Sequence, residues 1–69
     1  MSTDTVSTRE VHSMVYELII AAQGDMSAAL RVVEGYMRDY IAGTFPMTTI
    51  EVALCSAAIN RLAMLIANK

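Results

Sequence analysis

The 69-residue sequence has one cysteine, one histidine, one proline, one phenylalanine, three glycines and no tryptophan. A single cysteine cannot close an internal disulfide, which excludes the stapled scaffolds of small secreted domains. Only 17% of the residues are charged, against about 25% in an average soluble domain. Five basic residues face seven acidic ones, and a net charge of −2 lacks the basic surface that nonspecific nucleic-acid binding needs. One histidine and one cysteine do not form a metal-ligand set without acids gathered from across the chain. No glycine-rich phosphate loop and no nucleophile motif is present.

What the chain holds in excess is apolar sequence, 55% of it. That excludes an intrinsically disordered chain, which is poor in apolar residues. A domain this short buries only about 60% of its unfolded surface when it folds alone. Its one core contributes roughly 3–5 kcal/mol, so small domains often draw on a disulfide, a metal or a partner. With the first two unsupported, association is the expected sink. Membrane insertion competes for the same residues, but the stretch from Val52 to Ile66 is interrupted by Asn60 and Arg61. It also falls short of the ~20 apolar residues of a span. The first ten residues show no basic run followed by an apolar one, so no secretory leader is expected. The expected setting is reduced and cytoplasmic, away from the membrane.

Three helices are punctuated in the sequence. Ser7-Thr8-Arg9-Glu10 has the spacing of a capping box and predicts a helix over about 8–23, with residues 1–7 frayed ahead of it. Gly24 suits the left-handed position that ends a helix, and Asp25 suits the N-cap of a second, over about 26–42. Gly43 closes that helix, and Thr48-Thr49-Ile50-Glu51 opens a third over about 49–67. No alternating pattern suggests a strand. The expected fold is one all-α domain over residues 8–69.

The helical faces carry the main argument. Val11, Met14, Val15, Leu18, Ile19 and Ala22 form one stripe on the first helix, with Tyr16 and Ile20 outside it on the side that should be wet. The second helix has apolar residues over half its wheel, from Met26 to Ile41, and Ser27, Arg31, Glu34 and Arg38 on the other half. The third helix is apolar or small nearly all round, which two companion helices cannot cover. Ile50, Ala53, Ala57 and Met64 on its outer arc, with Tyr16 and Ile20, are therefore the expected oligomer interface. The expected assembly is a homo-oligomeric helical bundle, most simply a six-helix homodimer.

Candidates for chemistry are few. His12 and Cys55 would suit nucleophilic catalysis only if brought within hydrogen-bond reach. Cys55 on an apolar arc reads instead as a small buried side chain, and His12 as a solvated one near Tyr16. Arg31, Tyr36, Arg38 and Tyr40 form the best ligand constellation, since arginine grips phosphate or carboxylate and tyrosine stacks on rings. They lie on nearly opposite sides of one helix, so a pocket there needs two protomers.

Residues 21–30, Ala-Ala-Gln-Gly-Asp-Met-Ser-Ala-Ala-Leu, resemble the start of a Fis-type helix-turn-helix and a segment of ubiquitin-associated domains. The first resemblance implies a basic recognition helix, where residues 35–40 hold one base and one acid. The second implies a short third helix, and this one is long. Neither identifies a family.

The functional expectation is a small non-enzymatic helical oligomer without metal or cofactor and without specific DNA binding. It would act by stoichiometric binding to another protein, as an adaptor, chaperone or inhibitor does. The alternative is an oligomeric binder of a small anionic ligand such as a nucleotide, with its site between protomers.

Overall fold

The computed structural model describes residues 6–68, which form three α-helices and no strand. These are α1 (Thr8–Ala21), α2 (Met26–Ala42) and α3 (Thr49–Ala67). The fraying expected over residues 1–7 falls mostly on 1–5, outside the described residues.

Each helix starts where a side chain satisfies its orphan backbone donors. At α1 the Glu10 N–H donates to Ser7 Oγ at 3.1 Å, and Glu10 Oε1 accepts from the Ser7 N–H at 3.2 Å. At α3 the Glu51 N–H donates to Thr48 Oγ1 at 3.1 Å, and Glu51 Oε1 accepts from the Thr48 N–H at 2.8 Å. Both are complete capping boxes. At α2 the Asp25 carboxylate accepts from the Ala28 N–H at 3.0 Å and places its charge at the positive helix end.

The helix ends are less regular. Gly43, at φ 84°, ends α2, and its N–H donates to the Tyr40 carbonyl at 3.0 Å. The Thr44 N–H then donates to the Asp39 carbonyl at 2.9 Å. The same pair of bonds closes α1, with Gln23 donating to Ile20 and Gly24 to Ile19, both at 2.9 Å. Here the first left-handed residue is Gln23, at φ 57°, followed by Gly24 at 87°. Consequently α1 stops at Ala21 rather than near Gln23. The chain turns into α2 within four residues.

The core is small. Val15 from α1, Ala29 and Val33 from α2, and Cys55, Ala58 and Leu62 from α3 are buried, and only Val33 and Leu62 are large and fully so. The remaining α1 stripe (Val11, Met14, Leu18, Ile19 and Ala22) packs around them, as do Met26, Leu30, Met37, Met47, Ile59 and Leu65. α3 packs most extensively against α2, less against α1, and α1 touches α2 least. That leaves apolar side chains on the surface of every helix. Tyr16 and Ile20 on α1, Val32, Tyr36, Tyr40 and Ile41 on α2, and Ile50 and Met64 on α3 are all exposed. In α2 the covered strip is narrower than the apolar half of the wheel.

Candidate functional site

The six residues expected at an oligomer interface lie on the outside of this core. Tyr16 is 67% exposed, Ile20 58%, Ile50 49% and Met64 61%, while Ala53 and Ala57 are half-buried. α3 is the unusual element. Only 17% of its most apolar 18-residue stretch is buried, although by length and composition the helix is long and apolar enough to cross a membrane. A count limited to Val52–Ile66 understates that run. Arg61 and Asn60 fall within one turn of its midpoint.

Between α1 and α3 runs an open groove of about 350 Å³. The first turns of α1 supply Val6, Thr8, Val11 and His12, and the C-terminal half of α3 supplies Ala57, Asn60, Arg61 and Met64. Further along, Met14 shares a second cleft with Leu54 and Cys55, so α1 runs antiparallel to α3. The groove brings together two expected interface residues, Ala57 and Met64. It also gathers four polar side chains that sequence periodicity had not connected. The arginine is half-buried, whereas Thr8, His12 and Asn60 are exposed.

The second cleft, about 210 Å³, lies under the stacked rings of Tyr36 and Phe45, whose centroids are 5.4 Å apart. Met14, Met47, Leu54 and Cys55 make it apolar, with Glu51 alongside. The Cys55 thiol sits 3.9 Å from Met47 Sδ. Burial pushes that thiol above its ordinary range, and the Glu51 carboxylate pushes the same way. A nucleophilic cysteine has the opposite, electropositive surroundings. His12 and Cys55 line different cavities. Among the described residues no three His, Cys, Asp or Glu side chains are placed to hold a metal ion.

The arginine–tyrosine constellation of α2 is not gathered within the protomer. Tyr36 leans onto Phe45, while the Arg38 guanidinium lies over Gly35, 3.7 Å from where a Cβ would stand. Arg31 and Arg38 are exposed on one side of the continuous helix and Tyr36 and Tyr40 project from the other. The chain matches no protein-family model, and no curated protein or solved structure is significantly similar to it.

Proposed function

We propose that this protein works by stoichiometric binding rather than catalysis, through an apolar face built from α1 and α3. The face is first covered by a second copy of the chain, and the assembled bundle docks on another protein as an adaptor or inhibitor. One observation carries the reading: α3 is apolar along its length, yet most of it is not buried in the protomer. Water-exposed apolar area of this kind costs about 25 cal/mol per Å² relative to burial, and contiguous patches of it mark interaction sites. The small Ala53 and Ala57 between Ile50 and Met64 let a neighbouring helix approach closely. A symmetric pair places this patch against itself.

A lipid bilayer competes for the same helix, and two features disfavour it. A charge like that of Arg61 near the middle of a span costs roughly 2.5–3.5 kcal/mol on insertion scales. Insertion would also pull Cys55, Ala58 and Leu62 out of the core that the described residues form.

Sedimentation equilibrium at micromolar concentration tests the proposal. The expected result is a dimer or higher closed oligomer, converted to monomer by Ala57→Glu with helicity retained. A well-folded wild-type monomer across that range would sink it.

A further inference from the structure

Arg61 is the only charged residue between Glu51 and the final lysine, and it is half-buried beside α1. No buried side-chain donor among the described residues lacks a partner, so the guanidinium keeps its donors at the open side of the groove, where an anion can reach them. No described carboxylate lines the groove around it. Glu10, on the first turn of α1, is bound to the Ser7 backbone and hydroxyl within its capping box. The other polar lining groups, Thr8, His12 and Asn60, all carry hydrogen-bond donors. The rest of the wall, including Val11, Ala57 and Met64, is apolar. Both helices contribute donors and apolar side chains to this open groove of about 350 Å³, with Asn60 and Arg61 between Ala57 and Met64 on α3.

We propose that this groove binds a carboxylate carried on an apolar body. The carboxylate pairs with the planar fork of Arg61, which suits it bidentately. His12, Asn60 and Thr8 add donors, and the apolar body lies along Val11, Ala57 and Met64. The groove shares Ala57 and Met64 with the proposed docking face, so the ligand and a second copy of the chain compete for them.

The test is an amide-shift titration of the full ¹⁵N-labelled chain with sodium octanoate. Octylamine serves as the matched tail with a cationic head, and inorganic phosphate as an anion without a tail. Octanoate is expected to shift Thr8, His12, Ala57, Asn60, Arg61 and Met64 saturably, with neither control doing so over the same range. Arg61→Gln should weaken octanoate about tenfold, the size of one lost charge-assisted bond. Circular dichroism checks that the variant folds. If it does not, Arg61→Lys, which keeps the charge but not the fork, should still weaken binding measurably. No saturable shift, an equal response to octylamine or phosphate, or unchanged affinity in the folded variants would each overturn the site. The same titration on Ile50→Glu, which breaks the docking face outside the groove, separates the two readings. A groove that ignores octanoate in both proteins overturns this inference alone, and a monomeric wild type that binds octanoate overturns the docking face alone.

Discussion

Tyr36 and Phe45 stack across the junction of α2 and its outgoing loop, their ring planes 21° from parallel. Each ring is itself around two-fifths exposed, at 43% and 41%. The pair therefore acts as a cover for the cleft over Cys55 rather than as core. Phe45→Ala should cost about 1–2 kcal/mol, combining lost apolar area with the stacking preference of the rings. In a chain this size that lowers the melting midpoint by very roughly 4–8 °C per kcal/mol. A double-mutant cycle with Tyr36→Ala should give a coupling of about 0.5–1.5 kcal/mol. A coupling near zero would mean the rings are neighbours without being partners.

The left-handed Gln23 makes an opposite prediction, a gain. A side chain at φ 57° pays a steric cost that glycine does not. Gln23→Gly keeps both closing bonds to Ile19 and Ile20 and should stabilise the protein by about 0.5–1 kcal/mol. Gly35→Ala in mid-α2 should add a similar amount, because the new methyl meets only the flexible Arg38 side chain. Thermal melts of the single and double variants check both, and the two effects should add.

Stability should also fall as the solution turns alkaline, through Cys55. Burial, reinforced by Glu51, raises its thiol pKa in the folded state above that of the unfolded chain. The folded protein thus holds this proton more tightly. Its contribution is intact below the ordinary thiol range and is lost as pH rises through the raised value. Melting midpoints taken from neutral pH into the alkaline range should decline more steeply in wild type than in Cys55→Ala. Alkylation by iodoacetamide should be slow in the native protein and fast in denaturant.

Two neighbouring positions on α3 separate folding from assembly. Leu62 is fully buried and Met64 is largely in water. Leu62→Ala should cost about 2–5 kcal/mol, comparable with the whole stability of so small a core, and leave a chain with little cooperative unfolding. Met64→Glu should keep its helical signal while shifting sedimentation toward monomer. If Met64→Glu sediments like wild type, that end of the arc lies outside the interface.

The helix starts were legible in the sequence because capping is local. Ser7 with Glu10, Asp25, and Thr48 with Glu51 each satisfy donors three residues away. The end of α1 was less so, since Gly24 was the obvious left-handed residue and the structure uses Gln23 ahead of it. Bonds to Ile19 and Ile20 offset the cost. The α1 stripe from Val11 to Ala22 reads directly as packing. In α2, by contrast, Val32, Tyr36, Tyr40 and Ile41 share the apolar half of the wheel yet stay exposed. Periodicity tells which residues share a face but not how much of that face a neighbour covers. The groove was hidden for a related reason. His12 and Arg61 come to line one groove only through the register of α1 on α3, which is set by contacts across the whole chain. On the wheel of its own helix, each looked like a solvated or interrupting residue.

Met64 has a chemical consequence beyond packing. Among the described methionines, positions 14, 26, 37 and 47 are all partly covered, and Met64 alone is exposed. In the free protomer peroxide therefore reaches its thioether before those of the other described methionines, and a second copy over this face shields it. Oxidation to the sulfoxide turns a soft apolar side chain into a polar one without touching the core. The protein should age from that face inward, keeping its fold while the chemistry of its most apolar outer arc changes, and reductive repair of one side chain should restore it.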